Sequence, residues 1–464
     1  MQIVILVAII VTTIALETRT ELASPWAFTA ALGVYVLGTA AIGLASTATG
    51  LRTLLGDEQR SRRLRRQQKL LGLLEPAWLI AGSAATVLLG YGAWAIDALE
   101  VGNLPLLPRL VALIPFFVAL LVHWVLEYPY HRAVREALAR QQRRAGRTVR
   151  RPWSLREYLA FNTRHHLLFI LVPVGLILLL RDSLLLYVAP LLDGVPGASW
   201  IMLGGTVASA GLVFFFAPMI IVQVWKTRTL PADELREDLE ETCRSLGLSY
   251  RDILIWRSGG ILVNAGVVGV AGPVRYVLLS DALLDLLDRE QIRAVFAHEA
   301  GHIVCHHIFY AATFAIGTVL LFGSLGDGLM ALGAGKWWVN GVSFGGLILS
   351  WWLGFGWLSR RFERQSDVMA AHLSDPQPDG RITPRGAYAF ATALEEVARL
   401  NGSSRTQRNW RHGSVAFRVN YLLQLAARGG NKSEINGLVQ RVKLGLLLTG
   451  LVSIGLATAV YTAM

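Results

Sequence analysis

Four of the ten histidines in this 464-residue chain lie in one short segment, AVFAHEAGHIVCHH, residues 294–307. Three residues of the segment, His298, Glu299 and His302, form an H-E-x-x-H pattern. On a helix, side chains four positions apart share one face, so both imidazoles can bind one Zn²⁺ ion. Glu299 lies beside them and can act as a general base on a water molecule. The pattern therefore predicts a zinc-dependent hydrolytic site.

The flanking sequence predicts the elements that this spacing requires. Asp288 and Gln291 are spaced as a capping box ahead of the apolar segment IRAVF, which predicts that the H-E-x-x-H pattern lies on a helix. Farther upstream are three short β-branched segments separated by Gly-Gly and Gly-Pro: DILIW (252–256), ILVNAGVVGV (261–270) and RYVLLS (275–280). These segments predict a small antiparallel sheet before the histidines.

A catalytic zinc ion usually has three protein ligands and an open position, so a third ligand must come from elsewhere in the chain. Glu363 and Asp367 lie one helical turn apart in the segment SRRFERQSD, and Glu363 would complete a His₂Glu site. The chain between His302 and Glu363 consists mostly of two apolar segments that would leave and re-enter the same face of a membrane. That excursion would return Glu363 to the two histidines.

The composition of the whole chain is that of a polytopic membrane protein. Hydrophobic residues make up 53% of the chain and charged residues 16%. Apolar segments recur at the length that a helix needs to cross hydrocarbon, and lipid offers an unpaired backbone no hydrogen-bond partners. We expect about nine helical spans, at 2–16, 26–48, 78–96, 106–126, 165–181, 199–225, 309–331, 339–358 and 443–463. The first is short, and we interpret it as a retained span because no Lys or Arg precedes it, as one would in a signal peptide.

Much of the positive charge lies in two arginine-rich loops beside these spans, 51–76 and 127–164, and the net charge of the chain is +12. The positive-inside rule places both loops in the cytoplasm, and counting spans from them places 226–308 and 359–442 there as well. Membrane topology therefore explains the charge, and we expect the lipid bilayer, and no nucleic acid, as a partner.

Four motifs resemble, in order and spacing, those of the membrane-bound zinc endopeptidases that include the CAAX prenyl proteases and the bacterial heat-shock membrane protease. The motifs are the H-E-x-x-H helix of His298–His302, the Asn264-Ala265 dipeptide, the S-R-x-x-E-x-x-x-D pattern of Ser359–Asp367, and His412 with Arg418. The resemblance covers about 226–420, roughly the second half of the chain.

The resemblance implies one zinc ion per chain, with Glu363 as its third ligand and Asp367 behind the ligands. It also implies that Asn264 lies on an edge strand that holds the substrate backbone. His412 would lie near the scissile carbonyl, and Arg418 would contribute to substrate binding.

The chain departs from the family pattern at two of these places. Gly413 follows His412 where the family usually has Pro, and Ser366 stands where it usually has Ala. The departures concern the rigidity of the loop at His412 and the packing behind the ligands.

These observations predict a mainly α fold: a polytopic helical membrane protein with a cytoplasmic, zincin-like α+β peptidase domain that carries a small β-sheet. We expect a membrane bundle of about six spans over 1–225, a peptidase domain over 226–442 with a membrane hairpin at 309–358 inserted in it, and a last span at 443–464. The predicted function is a zinc metalloendopeptidase in the bacterial inner membrane that acts on membrane-associated proteins or peptides from the cytoplasmic side.

Two other functions remain open on the sequence alone. An intramembrane zinc protease of the site-two type also has H-E-x-x-H and takes its last ligand from an Asp such as Asp379 in PQPDG. The charged sequence around both motifs argues against it, since that class buries them in apolar spans. A membrane scaffold that merely binds zinc is the other alternative, and Glu299, which is not a ligand, argues against a scaffold.

The remaining histidines have no predicted role in the chemistry. We expect a helix continuing through His306 to carry that side chain away from the metal, and His307 to face elsewhere, so both are interpreted as structural or interfacial. His123, His165 and His166 border or lie within spans, and the sequence offers none of them a partner.

Overall fold

The computed structural model describes residues 1–17, 25–55, 58–144, 151–260, 262–431 and 433–463. It consists of two compact units, Met1–Trp225 and Lys226–Met464. Parts of both arginine-rich loops, and residue 261 of the second predicted strand, lie outside the described residues.

Every regular element that the structure describes in the first unit is a helix. Its α-helices are α1 (Gln2–Glu17), α2 (Pro25–Leu55), α3 (Glu58–Leu88), α4 (Tyr91–Ala98), α5 (Leu107–Ala112), α6 (Ile114–Arg144), α7 (Leu155–Asn162), α8 (Phe169–Ser183) and α9 (Ala198–Val224). π-helical segments at Thr163–Leu168 and Leu184–Val188 flank α8. Its largest core joins residues of α1, α2, α3, α6 and α7.

Seven helices of the described chain are long and apolar enough to cross a membrane. They are Trp26–Leu54, Arg66–Leu88, Leu155–Leu192, Trp200–Val224, His307–Ala331, Trp338–Ser374 and Glu434–Val460. These helices overlap seven of the nine predicted spans. The predicted span 2–16 is the short apolar helix α1, and the predicted span 106–126 is divided at Leu113, where α5 has ended and α6 has not begun.

The second unit combines a small sheet with helices. Its elements are β1 (Arg228–Thr229), α10 (Glu234–Ser245), β2 (Asp252–Trp256), β3 (Ala265–Val268), β4 (Tyr276–Ser280), α11 (Asp281–Leu286), α12 (Arg289–Val304), α13 (His307–Ala331), α14 (Lys336–Leu349), α15 (Gly356–Ser374), α16 (Pro384–Leu400), α17 (Val415–Ala427) and α18 (Ser433–Ala463). A π-helical segment, Ser350–Phe355, joins α14 to α15.

The sheet is mixed, with strand order β1-β2-β4-β3. β1 pairs with β2, and β3 with β4, in antiparallel fashion, but the central pair β2 and β4 is parallel. The prediction of an antiparallel sheet was therefore wrong for the central pair. A parallel pair needs a crossover, and the chain from 257 to 275 provides one by placing β3 on the far side of β4.

Helix α12 lies between two hydrophobic cores. Ile292 and Phe296 pack with the sheet, α10 and α11, whereas Ala294 and Ala297 pack with α15, α16, α17 and α18. The predicted capping box begins the helix: the Asp288 carboxylate accepts from the Gln291 N–H at 2.8 Å, and the Gln291 side chain accepts from the Asp288 N–H at 3.2 Å. Both cores therefore fix the rotation of the helix that carries the H-E-x-x-H pattern.

The apolar hairpin α13–α14 connects α12 to α15. It ends in the π-helical segment that leads directly into α15, so the chain returns beside α12 as a helix. Gly301 allows α12 and α15 to pack closely, because a Cβ at that position would lie only 3.2 Å from the Cα of Ser366 and would push the two helices slightly apart. The insertion thereby brings Glu363 and Asp367 to the helix of the two histidines.

Candidate metal centre

Three side chains from α12 and α15 converge on one point. The Nε2 atoms of His298 and His302 are 3.3 Å apart, and they lie 3.6 and 3.7 Å from the two carboxylate oxygens of Glu363. A tetrahedral zinc ion with ligand bonds of about 2.0–2.1 Å needs ligand atoms about 3.3 Å apart. The three predicted ligands therefore fit a zinc ion in both donor type and spacing.

The ring of His298 is fixed from two sides. Its Nδ1 lies 3.0 Å from Asp367 Oδ1, although the contact departs from the straight line of a good hydrogen bond. The ring also stacks on Phe390 of α16, with ring centroids 5.5 Å apart and planes 11° from parallel. A carboxylate behind a ligating imidazole orients the ring and raises its basicity, and Asp367 is placed to do both for His298.

Arg418 of α17 pairs with both carboxylates of α15. Its Nε and Nη2 contact the two oxygens of Asp367 at 2.8 and 2.5 Å, and its Nη1 lies 3.2 Å from Glu363 Oε2. The side chain is buried. The structure therefore places Arg418 behind the ligands and not on a substrate surface, which differs from the predicted contribution to substrate binding.

The protonation of the two imidazoles differs in the metal-free chain. Burial alone would lower the pKa of His298, but the contacts and charges of Asp367 and Glu363 outweigh it and raise this pKa to about 9. Burial and the neighbouring His298 lower the pKa of His302 to about 3. His302 is therefore ready to offer a lone pair at neutral pH, whereas His298 must release a proton before it can bind a metal.

Glu299 lies on the same helix between the two histidines and remains partly exposed. The protein nevertheless surrounds its carboxyl group closely enough that burial raises its pKa to about 7, against the opposing charge of His298. A carboxyl group that titrates near neutral pH can both accept and donate a proton there.

His412 reaches the site from the loop before α17. Its Nδ1 lies 2.7 Å from Glu363 Oε1, and 46% of its side chain is exposed. Asn409 and Gly413 exchange two backbone hydrogen bonds across the loop, of 3.0 and 2.8 Å. Gly413 has a φ of +76°, and its N–H is one of the donors, so the proline usual in the family cannot take this position in this loop.

Asn264 immediately precedes β3 and is exposed. Its backbone exchanges hydrogen bonds with Ser280 at the end of β4. β3 pairs with β4 on one side and is the last described strand of the sheet on the other. An edge strand of four residues is therefore present, and Asn264 lies one residue before it, not on it.

His307 is the residue that the sequence reasoning missed. Its ring is buried, with Nδ1 3.0 Å from His302 Nδ1. The expectation that it faces elsewhere was wrong, because the helix does not continue: α12 ends at Val304 and His306 adopts a left-handed conformation with a φ of +54°. The turn redirects the chain so that His307 faces His302, and the spacing of the two histidines gave no signal of it, since five helical positions do not share a face.

Asp379, the ligand of the site-two alternative, lies in the loop between α15 and α16. Its carboxylate pairs with Arg381 at 3.1 Å, and more than half of the side chain is exposed. In the described part of the chain, Asp379 is not among the residues that converge on the two histidines. The geometry therefore does not favour this alternative.

Comparison with known proteins gives a consistent result. Residues 229–398 match Peptidase family M48, and this range contains His298, Glu299, His302 and Glu363 but ends before His412. Over 244 residues the chain is 27% identical to a protein named Protease HtpX homolog from Aeropyrum pernix, covering 50% of this chain and 73% of that protein. The crystal structure of S. mikatae Ste24p superposes with a TM-score of 0.56 over 87% of this chain and 100% of that chain, at 15% identity, which shows a common fold.

Proposed function

Since this chain belongs to the membrane-bound proteases of Peptidase family M48, we propose that it is a zinc metalloendopeptidase that cleaves membrane proteins or membrane-associated peptides. One observation carries the proposal: the Nε2 atoms of His298 and His302 and the carboxylate of Glu363 lie 3.3 to 3.7 Å from one another. Such a donor set suits a catalytic zinc ion because it leaves a fourth position open.

Zinc bound there would act as a Lewis acid, which polarises a carbonyl group and makes a water molecule more acidic. Glu299 accepts the proton of the attacking water at its carboxylate and later donates it to the leaving amine. Its raised pKa, about 7, suits both steps near neutral pH. His412, which is partly exposed and lies against Glu363, can donate a hydrogen bond to the oxygen of the scissile carbonyl as negative charge develops.

The edge strand β3 offers a way to hold the substrate. Peptides bind proteases in extended form by adding a strand to a sheet edge, where backbone hydrogen bonds give register without demanding one sequence. Ala265 of β3 packs in the same core as Phe296 of α12, so this edge is tied to the helix that carries Glu299. We assign Asn264, exposed at the beginning of β3, a hydrogen bond to the substrate backbone.

The site works, in this proposal, on the cytoplasmic side of a bacterial inner membrane. The arginines of the loops beside the spans support this orientation through the positive-inside rule. The apolar helices α13 and α18 adjoin the peptidase elements, so membrane-associated substrates are the natural class.

The substitution Glu299→Gln tests the proposal. Purified Glu299→Gln in detergent should retain one zinc ion per chain, because Glu299 is not a ligand, and should lose at least about 10²–10⁴-fold in the rate of cleavage of a membrane-protein substrate. Zinc content by atomic emission and cleavage by gel assay measure the two quantities. Unchanged cleavage by this variant would overturn the role of Glu299 as the base.

A matched control separates this proposal from the site-two alternative. Asp379→Asn changes a carboxylate in the same way at an exposed loop position, and it should leave both zinc content and cleavage unchanged. Loss of zinc in Asp379→Asn, with zinc retained when Glu363 is replaced by Gln, would instead favour that alternative. A scaffold would bind zinc in all variants except those of the ligands and would cleave nothing.

A further inference from the structure

The two ligand imidazoles are supported in different ways from behind. His298 has the carboxylate of Asp367 3.0 Å from its Nδ1. His302 has a second imidazole there: His307 Nδ1 lies 3.0 Å from His302 Nδ1. A ligating histidine usually donates its other N–H to a carboxylate, a backbone carbonyl or water, so a histidine in this place requires its own explanation.

His307 belongs to a chain of hydrogen-bonding groups that runs from α12 to α18. Its Nε2 lies 2.9 Å from Gln365 Oε1, and Gln365 Nε2 donates to Asn436 Oδ1 at 2.8 Å. The His307 ring also stacks on Phe362, with ring centroids 4.1 Å apart and planes 10° from parallel. His307 and Gln365 are both buried, so the position of the ring is fixed by its surroundings.

The donor-to-acceptor direction of these hydrogen bonds decides which nitrogen of His302 carries a proton. If Asn436 Oδ1 accepts from Gln365, then Gln365 Oε1 faces His307 and accepts the proton on its Nε2. His307 Nδ1 then carries a lone pair, which accepts the N–H of His302 Nδ1. His302 is left with a free lone pair at Nε2, the atom that faces His298 and Glu363. The opposite direction would place a proton on that atom and prevent metal binding.

The backbone is bent to make this contact. Between α12 and α13, His306 adopts a φ of +54°, a left-handed conformation that residues other than glycine rarely adopt. The bend begins α13 at His307 and turns its ring toward His302. In a continuous helix, the five positions from His302 to His307 would turn the chain by about 500°, which is more than one full turn. His307 would then point away from the face that the ligands share.

We propose that His307, held by Gln365 and Asn436, is a positioning residue that fixes the tautomer and the orientation of the ligand His302. The inference rests on the proposed function, since it assigns His302 Nε2 to a zinc ion. His307 itself touches neither the ion nor the substrate. Its effect is on zinc affinity, through the lone pair at its Nδ1.

Two substitutions at His307 separate this role from simple packing. His307→Phe keeps the aromatic ring that stacks on Phe362 but removes the acceptor, whereas His307→Asn removes the ring but places an amide oxygen where Nδ1 was. If His307 positions His302, zinc affinity should fall by about 10–100-fold in His307→Phe and substantially less in His307→Asn. If the ring only packs, the order should reverse, because His307→Asn is then the more damaged variant.

The measurement is the dissociation constant of Zn²⁺ for the full-length, detergent-solubilised protein, by competition with a chelator. The melting temperature of the metal-free variants reports packing separately, and it should fall more in His307→Asn than in His307→Phe. His306→Asn is the matched control, since asparagine tolerates a left-handed conformation and His306 is exposed; its zinc affinity should equal that of the wild type.

If His307→Phe does not fold, a second pair of variants tests the hydrogen-bonded series from His302 through His307 and Gln365. Gln365→Glu keeps an acceptor for the N–H of His307, whereas Gln365→Leu removes it at similar size. Zinc affinity should be lower in Gln365→Leu than in Gln365→Glu. Equal zinc affinity in the two variants of either pair would overturn the inference while leaving the metallopeptidase proposal intact. Absence of zinc binding by the wild type would overturn the proposed function itself, and this inference with it.

Discussion

Two clusters of histidine and glutamate in the described chain bring their donor atoms close enough to hold a metal ion, but they differ in composition and in the way the imidazoles face the carboxylates. In the second unit, His298, His302 and Glu363 direct their ligand atoms at one point. In the first unit, His123 of α6 lies between two carboxylates: its Nδ1 is 2.5 Å from Glu75 Oε1, and its Nε2 is 3.3 Å from Glu127 Oε2. This ring therefore faces its two carboxylates with different nitrogens, whereas His298 and His302 both face Glu363 with Nε2.

The groups that surround the imidazoles also differ between the two clusters. Behind the ligands of the second unit, His298 and His302 keep their Nδ1 atoms for Asp367 and His307. Both nitrogens of His123 lie near carboxylates, and His131 lies 3.4 Å from Glu127 as a further partner. Two imidazoles can balance two carboxylates without a metal ion. We therefore expect the orientation of the imidazole nitrogens, and not the residue types alone, to distinguish a set of metal ligands from a set of ion pairs.

Loss of a ligand should produce the largest difference between the clusters. Glu363→Gln removes a charged ligand. Residues that only support a ligand typically contribute about 10–100-fold to metal affinity, so the loss of zinc affinity in Glu363→Gln should be larger than that, and cleavage should be abolished. Glu75→Gln makes the same chemical change in the first unit and should leave zinc content at its wild-type value. Metal analysis of both purified variants checks the pair, and equal zinc loss in the two would refute the distinction.

Removal of the buried guanidinium should produce a large loss of stability. Arg418→Met keeps much of the side-chain volume but removes the guanidinium that pairs with both Glu363 and Asp367, and leaves His298 as the imidazole between the two carboxylates. The loss of one partner from a buried charged group costs about 3–5 kcal/mol, which should lower the free energy of unfolding of the metal-free protein by that order.

Added zinc should recover part of this stability in Arg418→Met, since a bound cation replaces some of the lost positive charge beside Glu363. Thermal melts with and without zinc measure the effect. If Arg418 instead binds substrate, as first predicted, the melting temperature should not change and KM should rise.

The parts of the site that could be predicted from sequence are those fixed by local spacing. The capping box at Asp288 and the i, i+4 spacing of His298 and His302 are properties of a single helix, and both were confirmed in the fold. The pairing of Glu363 with that helix was predictable because two apolar helices form a hairpin that returns the chain. The family resemblance and the mainly α membrane fold were confirmed as well.

The parts that could not be predicted depend on a single dihedral angle or on strand order. Nothing in the sequence indicates that His306 takes a positive φ, and without that bend His307 has no reason to contact His302. Turn residues mark where strands end but not which neighbour each strand pairs with, so the parallel pairing of β2 and β4 was missed. The exposed loop at His412 is likewise fixed by the backbone pairing of Asn409 with Gly413. Knowledge of the family does not predict this pairing, because the proline that the family usually has at this position cannot donate a backbone hydrogen bond.

The apparent zinc affinity should depend on pH because one ligand starts out protonated. The pKa of His298 is raised to about 9, so below that pH zinc must displace a proton, and affinity should rise about tenfold per pH unit between pH 6 and 8. His302, with a pKa of about 3, adds no dependence in this range.

Asp367→Asn is the control for this pH dependence. Without the carboxylate beside its Nδ1, His298 should have a lower pKa, and the slope of affinity against pH should flatten above pH 7. Competition titrations in matched buffers remove the contribution of the chelator itself. A slope that is the same in both proteins would show that His298 does not carry the displaced proton.

Substitution of the bridging imidazole should have the smallest effect on the metal centre. His123→Gln can still hydrogen-bond one carboxylate but cannot carry a positive charge, so Glu75 and Glu127 should repel each other and the first unit should lose stability. Because neither nitrogen of His123 is a metal ligand in our interpretation, zinc stoichiometry should stay at one per chain, with the same dissociation constant. A wild-type protein with two zinc ions, one of them lost in His123→Gln, would show that the first unit also binds metal and that orientation of the nitrogens does not separate the clusters.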